Sequence, residues 1–189
     1  MRPGGSSPLI SIDQDEAVNW LWYCSPAYPD EDYEPAAHDR PAGGAPAAAH
    51  WRAWQEQLWG RARRDPSRFR LAVPSWGDDP PRFGSLSRWP ALQAYCQAAW
   101  PAFPEWFSTA RDAMIQLTMA AHVRRSCQQA IQVMGPDQVR VQIVALTAER
   151  ALIEEPGRAV IAAGLLRAED RFGRWLNQFV ARSSAERDG

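Results

Sequence analysis

The chain has 189 residues, of which 46% are hydrophobic and 23% charged, a composition in the globular rather than the disordered or membrane class that predicts one folded domain with a real core. Its formal net charge of −1 gives the chain as a whole no electrostatic footprint for nucleic acid or an anionic membrane. Ten Trp and sixteen Pro accompany 21 basic residues that are all Arg, a usage that GC-rich coding explains and that also supplies planar forks for carboxylates or phosphates.

In chain order, residues 1–10 are rich in Pro, Gly and Ser and are expected to be loose. Asp13, Asp15 and Glu16 then supply negative charge suited to a first helical turn, and Ala17, Val18, Trp20, Leu21 and Tyr23 continue as an apolar run, which predicts a short helix over about 13–24. Residues 25–48 hold Asp30, Glu31, Asp32 and Glu34 among Pro, Gly and Ala, and such a segment buries too little apolar surface to offset its ordering entropy. It is expected to be an acidic loop. A helix over about 47–64 follows from Trp51, Trp54, Leu58 and Arg61 at helical intervals.

Pro66, Pro74, Pro80, Pro81 and Pro90 punctuate the next stretch, which predicts an extended crossing with a strand-like Arg68–Val73. Pro90 suits the first turn of a helix over 90–100, with Leu92, Tyr95, Cys96, Ala99 and Trp100 on one side. Ser108 or Thr109 is placed to cap a long helix to about Met134. Val139, Ile143, Leu146 and Ile153 predict a further helix over about 137–154, although Val139-Arg140-Val141-Gln142-Ile143 also alternates like a strand. Length favours the helix. After Pro156-Gly157, Ile161, Leu165, Ala168, Phe172, Leu176 and Phe179 predict a last helix to about Arg182. The expected fold class is mainly α in a single domain over 1–189: an antiparallel helical bundle over 107–182, with a Trp/Arg-rich, partly irregular segment over 49–106.

The strongest local asymmetry is of charge. Residues 11–39 hold eight acids and no Arg, whereas 40–70 hold seven Arg against Glu56 and Asp65. The two stretches can pair with each other at ~0–1 kcal/mol per exposed pair. Alternatively, Arg61, Arg63, Arg64, Arg68 and Arg70, flanked by Trp51, Trp54, Trp59 and Phe69, combine forks with stacking rings, as a single-stranded nucleic-acid groove or a protein hot spot does. The tryptophans themselves exceed what one small core easily encloses, so some are expected to be exposed: the set fills an irregular core in a segment with little secondary structure, or Trp76, Phe83, Trp89, Trp100, Phe103 and Trp106 form an aromatic docking surface stiffened by prolines.

For chemistry the sequence offers little. His38 and Asp39 near the acidic loop match no EF-hand spacing, His50 and His122 have no metal-binding neighbour in sequence, and G-x-S-x-G, Walker A and G-x-G-x-x-G are absent. No metal or cofactor is expected. Cys24, Cys96 and Cys127 form no C-x-x-C pair, and no stretch has the apolar core of a signal peptide or the ~18 residues of a membrane helix, so a cytoplasmic location is expected. The expected function is that of a non-enzymatic protein-binding or adaptor module whose contact residues are Trp51, Trp54, Arg61, Arg63, Arg64, Arg68, Arg70, Trp76, Trp89, Trp100 and Trp106. An Arg-dependent nucleic-acid-binding subunit is the alternative, a small enzyme whose site forms only in three dimensions is a third, and wide apolar faces leave room for a homo-oligomer.

Overall fold

The computed structural model describes residues 9–25, 41, 44–64, 86–134 and 138–185, with the backbone alone at Ala17 and 58–64. These residues divide into two compact units. The first comprises the described residues of Met1–Asp15 and Thr109–Gly189, and the second those of Glu16–Glu31 and Ala36–Ser108.

The first unit overturns the helical bundle expected over 107–182. At its centre is a four-stranded mixed sheet in the order β1-β2-β4-β3, formed by β1 (Leu9–Asp13), β2 (Gln138–Val144), β3 (Ala151–Glu155) and β4 (Arg158–Ala162). β1 and β4 both run parallel to β2, and β3 returns antiparallel to β4. The segment expected as a helix over 137–154 is therefore a strand, a loop and part of a hairpin. Val139, Val141 and Ile143 lie buried on one face of β2, while Gln142 and Val144 are buried on the other. A strand covered on both faces reads as a nearly continuous apolar run, which mimics a buried helix when only length is weighed. The hairpin between β3 and β4 turns at Pro156-Gly157, where Gly157 adopts φ 74°, a left-handed conformation that favours glycine.

The expected last helix also begins too early, because Arg158–Ala162 is β4. Helix α6 (Ala163–Arg167) starts directly after it, and α7 (Glu169–Ala185) follows with Glu169 and Asp170 complementing the dipole at its first turn. The single long helix expected up to Met134 is two, α4 (Phe103–Thr118) and α5 (Ala121–Val133), separated at Met119-Ala120. Phe172, Leu176, Phe179 and Val180 form the buried stripe of α7, and α5 packs along it through Val123, Ser126 and Ala130. Small residues permit this close approach: a Cβ on Gly173 would lie 3.2 Å from the Ser126 Oγ.

Two further contacts fix this layer. Gly164 donates its N–H to the Leu146 carbonyl at 2.9 Å. A Cβ at Gly164 would fall on the Thr147 carbonyl group and 2.5 Å from the Ala148 oxygen, so only glycine fits between α6 and the loop after β2. The His122 Nε2 lies 2.6 Å from the Leu166 carbonyl oxygen, which ties α5 to α6.

The second unit is helical in its described residues. It contains α1 (Glu16–Tyr23), α2 (Ala45–Arg64), α3 (Pro90–Ala99), a 3-10 turn at Trp100–Ala102 and the start of α4. The helices expected over 13–24, 47–64 and 90–100 thus appear with small shifts of their ends. Most of the acidic stretch 25–48, and the expected crossing from Asp65 to Pro90 as far as Ser85, lie outside the described residues.

Candidate functional site

The tryptophans of the second unit mostly build a core. Val18, Trp20, Leu21, Trp22 and Tyr23 are all buried, so α1 is enclosed on more than one face. The Trp20 ring meets Trp100 and Phe103 edge-on with centroids 5.1 and 4.9 Å away, and Tyr23 lies 4.7 Å from Trp106. Edge-to-face geometry places positive ring edges on negative faces, contributing ~0.5–1.5 kcal/mol per pair beyond area burial. Trp51 is fully buried against Trp22, and its indole N–H donates to the Leu21 carbonyl at 2.9 Å. That bond satisfies both a buried ring nitrogen and a carbonyl at the end of α1.

The residues expected to form a contact surface therefore separate. Trp51, Trp54 and Trp106 are buried among the described residues, and Phe103 is fully enclosed. Trp100 is half-buried at the margin of the aromatic cluster, and Trp89 is half-buried at the start of α3. Arg61, Arg63 and Arg64 lie in the last turn of α2, described by backbone alone, while Arg68, Arg70 and Trp76 lie outside the described residues.

Trp89 combines partial exposure with a charged neighbour. Leu86, fully buried, anchors a turn in which the Trp89 N–H donates to the Leu86 carbonyl at 2.7 Å. Pro90 then opens α3, fixing the backbone dihedral at its first position, and Trp89 accepts from the Gln93 N–H at 2.9 Å. Over the ring lies the Arg88 guanidinium, its carbon 4.0 Å from the ring centroid. Stacking of this kind uses the face of the guanidinium and leaves its N–H groups directed outward. Among the described residues, the Arg88 side chain makes no ion pair and the Trp89 indole N–H no hydrogen bond. In the sequence, Arg88 is marked only by the Arg-Trp-Pro triplet at a helix start.

The first unit carries a second polar constellation, on the sheet face opposite α7. Register places Ser11, Arg140 and Arg158 in one row, with Asp13, Gln142 and Val160 in the next. The Arg140 Nε donates to the Asp13 Oδ2 at 2.8 Å, and an Arg158 N–H reaches the buried Gln142 Oε1 at 3.3 Å. Burial holds the Arg158 guanidinium below its usual range and the neighbouring Arg140 charge adds to this, whereas Glu155 and Asp15 act in the opposite sense. Two cations in register are thus offset by carboxylates of the same chain, an arrangement that stabilises the sheet and leaves little uncompensated charge for a ligand. These residues were invisible to a helical reading of 137–154.

On the α7 face, Glu154 accepts from the Trp175 indole N–H at 2.6 Å and from Arg182. The adjoining concavity, bounded by Glu155, Pro156, Phe179 and Ser183, measures about 150 Å³. This is smaller than the ~300–1,000 Å³ of small-molecule sites. Cys127 is half-buried on α5, and burial pushes its thiol pKa up, away from nucleophilic reactivity. Among the described residues no group of three or more His, Cys, Asp or Glu is disposed to hold a metal ion, and no helix is long and apolar enough to cross a membrane.

The described fold thus defines a chain with an α/β unit and a helical, aromatic-cored unit. No family model, curated protein or solved structure matches it.

Proposed function

We propose that the chain is a non-enzymatic protein-binding module of the cytoplasm that engages its partner through the Arg88–Trp89 stack. The supporting observation is a half-exposed indole fixed at a Pro-initiated helix start beneath an Arg that has no ion pair among the described residues. A ring and a guanidinium already ordered against each other lose little conformational entropy on binding, and Trp and Arg are both enriched at interface hot spots. Its chemistry calls for a protein surface offering an apolar side chain beside a carboxylate. The buried tryptophans around Trp20 and Trp51 support this site from within rather than touch the partner.

The test is affinity recovery from the native cell with the full chain as bait, with and without nuclease, beside Trp89→Ala and Arg88→Ala baits. A specific protein retained by the native bait after nuclease treatment is expected to bind Trp89→Ala about 30-fold more weakly, the loss of a ~2 kcal/mol hot spot. Association that disappears with nuclease, or that survives both substitutions, overturns the assignment.

A further inference from the structure

The sheet of the first unit ends in two edges that meet solvent differently. At one edge β3 is broken by an irregularity between Ala151 and Ile153, carries the adjacent carboxylates Glu154 and Glu155, and is tied to α7 through Glu154. Bulges and charges are the usual means of keeping an edge strand from pairing with another chain. β1 has neither. Its five residues run in unbroken register along β2, Leu9–Ile12 contain no charge and no proline, and Leu9 is 51% exposed. Among the described residues, no hydrogen bond reaches the side of β1 that faces away from β2.

We propose that β1 pairs antiparallel with β1 of a second copy of this chain, about a twofold axis perpendicular to the sheet and midway between the two Ser11 residues, so that two four-stranded sheets become one. The proposal is independent of the Arg88–Trp89 site. Centring the axis between the two Ser11 residues is the register that pairs all five residues of Leu9–Asp13. It sets Ile10 against the partner's Ile12, Leu9 against the partner's Asp13, and Ser11 against itself. Strand side chains alternate between faces, so this register continues the apolar face that carries Val139 and Val141 and keeps Ser11 and Asp13 on the polar one.

The charges permit it. Asp13 meets no carboxylate across the interface, and Arg140 of its own copy already holds it at 2.8 Å. The two Arg140 residues would stand three strand spacings apart, roughly 14 Å, beyond the ~8 Å over which physiological salt screens charge. A second copy is therefore a partner that every molecule supplies and that matches the strand in length, face and charge. An isologous interface of this kind closes on itself and produces no filament.

The test is sedimentation equilibrium of the full chain over a concentration series. The expected mass rises to twice the 21.2 kDa of one chain. Ser11→Asp sets two carboxylates opposite each other on the axis, whereas within one chain the new acid stands in register beside Arg140. Like charges directly opposite should weaken the dimer about fivefold, with the far-UV circular dichroism and thermal midpoint unchanged. Ser11→Arg should weaken it similarly, and mixing the two variants should restore association as a mixed dimer. Should either variant fail to fold, Ser11→Cys provides a separate readout: opposed Cβ atoms ~4.5–5.5 Å apart fall within reach of a disulfide after small adjustment, giving a crosslinked dimer on mild oxidation. A single-chain mass at every concentration, a dimer indifferent to Ser11→Asp, or the absence of a Ser11→Cys crosslink overturns the proposal, as does a strand from another protein occupying β1 of a monomer.

Discussion

Substituting Gly164→Ala tests whether the α/β unit is assembled as described. The added methyl would coincide with the Thr147 carbonyl and approach the Ala148 oxygen to 2.5 Å, and both are backbone groups with no side-chain rotamer to yield. Either α6 or the loop after β2 must move. Overpacking of this sort costs about 1–3 kcal/mol, and displacing the Gly164 N–H from the Leu146 oxygen leaves a buried donor unsatisfied for roughly another 1–3 kcal/mol. Against this, alanine regains only ~0.5–1 kcal/mol of helix preference over glycine. A net loss of about 1–5.5 kcal/mol is a large part of the ~5–15 kcal/mol that holds a typical domain folded. With a urea dependence of ~2 kcal/mol per molar, the midpoint should fall by about 0.5–2.7 M. Urea titration followed by far-UV circular dichroism, with hydrogen exchange on peptides covering β2 to α6, measures the loss and assigns it to this unit. Gly173→Ala serves as the control, because its methyl meets only the rotatable Ser126 hydroxyl at 3.2 Å and should leave stability unchanged or slightly raised. A Gly164→Ala protein with the native midpoint would show that α6 does not lie against Thr147.

Further outcomes follow from the same contacts. Trp51→Phe removes the donor to the Leu21 carbonyl and part of a fully buried ring, and should cost about 2–4 kcal/mol by chemical denaturation, with Trp54→Phe, which keeps most of its packing, costing less. Asp13→Asn breaks a half-exposed ion pair with Arg140 and should cost no more than about 1 kcal/mol, diminishing in high salt; a loss of several kcal/mol would mean that the pair is more enclosed than its 41% and 40% side-chain exposures indicate. Cys127 should be alkylated more slowly than a free thiol, with its rate profile displaced to higher pH, because burial disfavours the thiolate. Since the unfolded chain then ionises first, this thiol's contribution is complete below about pH 8 and declines as pH rises further. Cys127→Ser should flatten that decline in a stability titration across alkaline pH.

The helices of the second unit were legible because their signals are local. Asp15 and Glu16 before an apolar run, Pro90 at a first turn, and Trp51 and Trp54 at helical spacing each specify structure within a few residues. The sheet was not, because its pairing is remote. Val139–Ile143 alternates as a strand should, but Val144, Ala145 and Leu146 continue the apolar run, and nothing local marks the loop at 145–150 as the end of an element. Arg158–Ala162 runs directly into α6 without an intervening polar cap, so a strand and a helix merge into one apolar pattern. The same remoteness hid Asp13, Arg140, Gln142 and Arg158 as a group. At the candidate site Trp89 was singled out from composition, whereas Arg88 emerged only from its position over the ring.

Leu9 is matched with Gln138, 129 positions later in the chain. During synthesis at ~5–20 residues per second, the first strand leaves the ribosome roughly 6–26 s before the strand it must adjoin. Throughout that interval Leu-Ile-Ser-Ile is an unshielded adhesive segment, and the pace of translation sets how long a nascent chain remains vulnerable to misassembly with its neighbours on the same message.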